Sequence, residues 1–187
     1  SQWDAVKAAF NTFQDKYDAL PGDYAQATTF IKATLSTNGG NGNGNGIVGA
    51  TIAATPYRAA LGAATGASEH RGTWEHLFEA GLLSSVDNTN LVLPSKITGG
   101  YYHVMHSTLG AVGSQRTAHW LRMQANPTTV APTANPLSPR EAAEVDRKYD
   151  DGVIDTGTIQ AGSGAAAVTC TYSPTDAKQC SVVFEVM

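Results

Sequence analysis

Five histidines, a group of four aspartates and two cysteines are the side chains of this 187-residue chain whose types and spacing bear on chemistry. His103 and His106 are three apart in a strand-like stretch, so they point to opposite faces and share no metal. His70 and His76 are six apart on a predicted helix, which turns them away from each other. Asp146, Asp150, Asp151 and Asp155 surround the Gly152 turn. Carboxylates around a turn suit calcium, which takes about six to eight oxygens. Their spacing lacks the alternate oxygens and distal Glu of a helix–loop–helix calcium site, and Asp-Asp-Gly is also a plain helix stop. No cofactor is therefore expected, with calcium the one alternative kept. The Asn-Gly repeat at 41–46 carries no carboxylate and reads as a flexible loop, while Glu69, Glu75 and Glu79 read as a solvated helix face. Serines and threonines abound, yet there is no Gly-x-Ser-x-Gly elbow and no phosphate-type glycine loop. No catalytic residue is assigned, and the chain is not expected to be an enzyme.

Cys170 and Cys180 enclose nine residues, Thr171 to Gln179, that are polar and turn-forming. The pair reads as one disulfide, the alternative being two buried thiols. A zinc site would need further ligands nearby. A persistent bridge places the chain in an oxidising compartment, the periplasm or the cell surface. With 12 Lys and Arg against 16 Asp and Glu the net charge is −4, and the basic residues are scattered, so no nucleic-acid partner is expected. The charged fraction is only 15%. No apolar run is long enough to span a bilayer, and no signal peptide is visible.

The elements that must position these groups follow from periodicity. Trp3, Val6, Phe10, Phe13, Tyr17 and Leu20 recur every three or four residues and trace one stripe of an amphipathic helix. It starts at residue 1 without a cap and breaks at Leu20-Pro21-Gly22-Asp23, because proline disfavours helical geometry in the residue before it. Asp4, Lys7, Asn11, Gln14, Asp15 and Asp18 fall on the opposite face. A second short helix is predicted over Tyr24 to Leu35 with Asp23 as N-cap, then a Gly/Asn loop over 36–49. A third helix begins at Ser68, with Trp74, Leu77, Phe78 and Leu82 as its apolar face and Gly81 near its end. Strand-like segments follow at Leu91–Leu93, Tyr101–His106 and Ala118–Met123, then an extended crossing over 126–139 with four prolines. Ser138-Pro139-Arg140-Glu141 is a capping box with proline at the first helical position. The helix it starts runs to Tyr149, and short strands at Gly157–Gln160, Ala167–Tyr172 and Ser181–Val186 complete an α+β domain.

Several of these segments resemble one family. Phe13-x-x-x-Tyr17-x-x-Leu20-Pro21-Gly22-Asp23 resembles the junction after the long N-terminal helix of type IV pilins and pseudopilins. Trp74-x-x-Leu77-x-x-Ala80-Gly81-Leu82 resembles their internal helix. Ser138-Pro139-x-Glu141-Ala142-x-x-x-Asp146-x-Lys148-x-Asp150-Asp151-Gly152, then Thr156-Gly157, resembles their late helix and turn, although Val153-Ile154-Asp155 stands where many relatives carry a proline. Cys170…Cys180 with Val182-Val183-Phe184 resembles their C-terminal disulfide loop and closing strand.

The resemblance implies one pilin-like domain over 1–187: an amphipathic helix packed on a small antiparallel sheet, with extra short helices and long loops. Residues 1–20 would be the C-terminal half of the long helix and 21–187 the head. It implies a structural subunit of an extracytoplasmic type IV pilus or type II secretion pseudopilus, polymerising through that helix. The expected partners are copies of itself or other pilins, with inner-membrane assembly machinery and a prepilin peptidase for the full-length form. Its place would be the bacterial cell surface, after anchorage in the inner membrane. The leader, cleavage site and apolar half of the helix are expected upstream of Ser1. The alternative is a minor or tip subunit whose Gly/Asn loop and Pro-rich crossing bind a surface, a protein or DNA. An unrelated secreted enzyme sharing only the helix and disulfide is a third possibility.

Overall fold

A computed structural model describes residues 1–36, 39–49, 69–109, 116–125, 127, 135–162, 170–174 and 176–187. Helix α1 (Gln2–Tyr17) is amphipathic as its sequence requires: Val6, Phe10 and Phe13 are fully buried and Trp3 and Tyr17 pack partly buried against the same core. Its start departs from the sequence reading. Ser1 is an N-cap, and Ser1 and Asp4 form a reciprocal capping box, so each satisfies an orphan backbone donor of the first turn. At the other end Asp18 takes a left-handed conformation and donates its N–H to the Gln14 carbonyl.

Pro21 and Gly22 then dock on α3 (Glu69–Glu79) rather than forming a free turn. The Thr73 hydroxyl donates to the Pro21 carbonyl, and the Gly22 N–H donates to His76 Nδ1 at 2.9 Å. Gly22 has φ +95, and a Cβ there would lie 2.3 Å from the Glu69 carbonyl oxygen, so both conformation and contact require glycine. The second helix is far shorter than predicted. Only α2 (Ala27–Phe30) forms, and Gln26, not Asp23, precedes it. Asp23 spends its carboxylate elsewhere, and the β-branched residues Thr28, Thr29 and Ile31 give the segment little helical preference to extend.

The sheet has five antiparallel strands in the order β1-β2-β3-β5-β4: β1 (Leu93–Pro94), β2 (Tyr101–Leu109), β3 (Arg116–Gln124), β4 (Ile159–Gly162) and β5 (Ser181–Glu185). Trp120, Leu121, Val182 and Val183 are buried at its centre, and Trp3 of α1 meets Phe184 of β5 with ring centroids 5.3 Å apart. Helix α3 closes with the left-handed Gly81, where the Leu82 N–H returns to the Leu77 carbonyl. Trp74 and Leu77 are fully buried.

Helix α4 (Pro139–Tyr149) has the expected capping box: Ser138 accepts from the Glu141 N–H, and Glu141 accepts from the Ser138 N–H. The expected cap at Ser68, most of the crossing over 126–139 and the start of the strand over Ala167–Tyr172 lie outside the described residues; Cys170, Thr171 and Tyr172 are not in a strand.

Cys170 and Cys180 are bridged. Their loop is fastened to α4 at both ends, by Lys178 to Glu141 at the start and by the Tyr172 hydroxyl to Asp146 near the end. The bridge limits the unfolded chain to a closed loop, a constraint worth about 2–4 kcal/mol. Reduction is therefore expected to lower the unfolding free energy by that amount, read in a denaturant titration as a lower midpoint. An unchanged midpoint would mean that α4 alone holds the loop.

Candidate functional site

The face of α1 turned from the core carries Asp4, Asn11, Gln14, Asp15 and Asp18, all exposed, with Lys7 half-buried. The six stripe residues hold α1 to its own domain and leave this polar face outward. At the amino end of α1 a groove of about 580 Å³ runs between α1, α4 and the sheet, walled by Trp3, Tyr102, Leu137, Val145, Tyr149 and Phe184. Glu141 on its wall is held below the usual carboxylate range by Lys178 and its capping bonds. Burial pushes the Tyr102 phenol up.

At the carboxyl end of α1 stands a second constellation that composition did not reveal. The Gly/Asn loop, expected to be flexible, has its backbone N–H groups collected by three carboxylates. Asp23, almost fully buried, accepts from Asn45 (3.0 Å) through Oδ1 and from Gly46 (2.7 Å) through Oδ2. Glu69 accepts from Asn43 (2.9 Å) and Gly49 (2.6 Å). Glu75 accepts from Ser36 (2.6 Å) through Oε1 and from Gly40 (3.1 Å) through Oε2. The reading of Glu69, Glu75 and Glu79 as a solvated face is thus corrected: Glu75 is only 7% exposed, Glu69 is half-buried, and Glu79 pairs with Lys32 at 2.7 Å. A loop poor in side chains presents many backbone donors, and buried donors must find acceptors. Anionic acceptors on the facing helix and at the α1 junction supply them, in bonds stronger than neutral ones. Burial nevertheless raises the Glu69 carboxyl above its ordinary range.

Two histidines complete the frame. His76, fully buried, accepts the Gly22 N–H on Nδ1 and donates from Nε2 to the Gly40 carbonyl (2.6 Å), joining the α1 junction to the loop. His119 Nε2 accepts the Val48 N–H at 3.2 Å. Each ring must be neutral to accept, and burial lowers both; His119 falls to about 4, helped by His106. His106 and His119 face each other across β2 and β3 with ring centroids 4.8 Å apart. That pairing depends on strand register, which no spacing within either strand discloses. His103 is buried, and His70 Nδ1 donates to the Val104 carbonyl, away from His76.

The late turn gathers Asp146, Asp150 and Asp151, with one oxygen from each within 4.8 Å of the others; Asp155 is exposed and outside that group. Asp146 accepts from the Gly152 N–H and the Tyr172 hydroxyl, and its burial raises its pKa. Asp150 accepts from the Ile159 N–H, and Asp151 from the Val153 N–H and the Thr156 hydroxyl. A Cβ on Gly157, at φ +74, would lie 2.0 Å from Asp150 Oδ2, which explains a glycine after Thr156. N–H and O–H donors thus hold these carboxylates around the turn that ends α4. Lys148 reaches the face of Tyr149, 5.2 Å from its centroid.

No helix among the described residues is long and apolar enough to cross a membrane. No protein-family model, curated protein or solved structure matches the chain.

Proposed function

We propose that the protein is a structural subunit of an extracytoplasmic filament of the type IV pilus or type II secretion pseudopilus kind, polymerising through its N-terminal helix. One observation carries this reading: α1 turns its apolar stripe to the core, with Trp3 against Phe184 of β5 and Phe13 against His76 of α3, and leaves a polar face outward along its length. A helix held this way is a rigid rod whose outer face is available to unlike surfaces of other copies. Head-to-tail contacts of that kind build open helical polymers. The bridged loop on α4 suits the oxidising compartment such a filament requires.

The gene sequence upstream of residue 1 tests the reading. A short basic leader, a glycine before the cleavage point, a glutamate soon after it and about 20 apolar residues are expected. An ordinary cleavable signal peptide, or nothing apolar, would remove the filament core and overturn the proposal.

A second reading, a minor or tip subunit that binds a partner, draws on the Gly/Asn loop. Asn41, Asn43 and Asn45 are exposed on a backbone that the carboxylates hold in one shape. A recognition loop fixed beforehand loses less entropy on binding. Copy number separates the two readings, since a major subunit forms most of the filament mass.

A further inference from the structure

Asparagine followed by glycine is the least durable pair in a polypeptide. The glycine nitrogen loses its proton and attacks the asparagine Cγ, the bond from Cγ to the side-chain nitrogen breaks, and ammonia leaves. Water then opens the five-membered succinimide to aspartate or isoaspartate. Besides Asn38–Gly39, three such pairs follow one another at 41–46, and the asparagines of these three are exposed. We propose that Asn45–Gly46 is a deamidation site that the fold keeps closed through the Asp23 carboxylate.

The Gly46 N–H, whose nitrogen would be the nucleophile, donates to Asp23 Oδ2 at 2.7 Å. Its proton is held by an anion, and stripping it would set two negative charges against each other on a nearly buried group. The Asn45 side chain is engaged as well, since its Oδ1 accepts the Ile47 N–H at 2.9 Å. The other two pairs are restrained differently. The Gly42 N–H donates to the Tyr24 carbonyl (3.0 Å) and the Gly44 N–H to the Asp23 backbone carbonyl (2.9 Å), neither of which needs the Asp23 side chain. Opening the succinimide to isoaspartate adds a methylene to the main chain at 45. The Asn45 and Gly46 N–H groups then no longer reach the two Asp23 oxygens together, so one irreversible step unlatches the loop.

The test is peptide mapping by mass spectrometry of the whole chain held in mildly alkaline buffer, folded and in urea, with folding followed by circular dichroism. In the folded wild type all three asparagines are expected to react at least about tenfold more slowly than in urea, the scale of one charged hydrogen bond. In Asp23→Ala, Asn45 should accelerate by about tenfold while Asn41 and Asn43 stay slow. If Asp23→Ala does not fold, Asp23→Asn, which keeps an uncharged acceptor oxygen, should accelerate Asn45 alone by a smaller factor. Equal acceleration of all three, no acceleration of Asn45, or a folded wild type as fast as the chain in urea would each overturn the proposal.

Discussion

Acidification from neutral pH to about pH 4 is expected to destabilise the protein, His119 alone contributing about 2–3 kcal/mol. The folded pKa of His119 is about 4, against an ordinary value of 6.5. Below 6.5 the unfolded chain takes up a proton that the folded chain refuses, so stability is full above that pH and is lost down to about 4. The refusal has a structural cause: a protonated His119 cannot accept the Val48 N–H and would face His106. His76, His70 and His106 are also lowered by burial and act in the same direction. Glu69 and Asp146 oppose them. Their folded pKa values are raised, so they add stability as the pH falls through their own range and soften the lower part of the curve. Urea titrations at a series of pH values check this, and His119→Gln should flatten the slope between 6.5 and 4. A wild-type stability that does not change across that window would contradict the neutral-histidine frame.

Glu75→Ala is expected to cost about 3 kcal/mol, the upper end of the range most single substitutions cover. The side chain is nearly buried, and its removal leaves the Ser36 and Gly40 N–H groups and the Ser36 hydroxyl without their acceptor. An unsatisfied buried donor costs about 1–3 kcal/mol, more than the net gain from making the bond. Glu75→Gln keeps one acceptor oxygen but turns an amide toward the second donor, so roughly half the loss is expected. Denaturant midpoints give the energies, and hydrogen exchange gives the location: the Ser36 and Gly40 amides should lose protection before those of β3. A loss below about 0.5 kcal/mol would mean that the loop finds other acceptors and that Glu75 does not hold it.

These two predictions rest on what was hardest to read in the sequence. Helices α1 and α4 were legible because their signals are local: a stripe at helical spacing, and Ser138-Pro139-Arg140-Glu141 at a helix start. The closing strand and the cysteine bridge were legible from composition over a short window. The capping box at Ser1 is equally local, since Ser1 and Asp4 stand at the capping-box spacing in the sequence itself. The carboxylate frame is of another kind. Glu75 meets the Gly40 N–H across 35 residues and Glu69 meets the Asn43 N–H across 26. Backbone amides carry no sequence signal, so a Gly/Asn tract declares a loop without declaring what lies beneath it. The same limit explains α2. Asp23 before a polar segment reads as an N-cap, but its carboxylate serves Asn45 and Gly46, and the helix it was expected to start contracts to one turn. The His106–His119 pair waits on the register between β2 and β3, which emerges only from the folded sheet.

The most direct test of the filament proposal is electron cryo-microscopy of material sheared from the surface of cells making the native full-length protein. Filaments built from this chain are expected, with α1 innermost, its polar face against neighbouring copies, and the bridged loop outward on α4. Filaments lacking the chain, or the chain recovered only as free monomer while filaments form without it, would contradict the proposal.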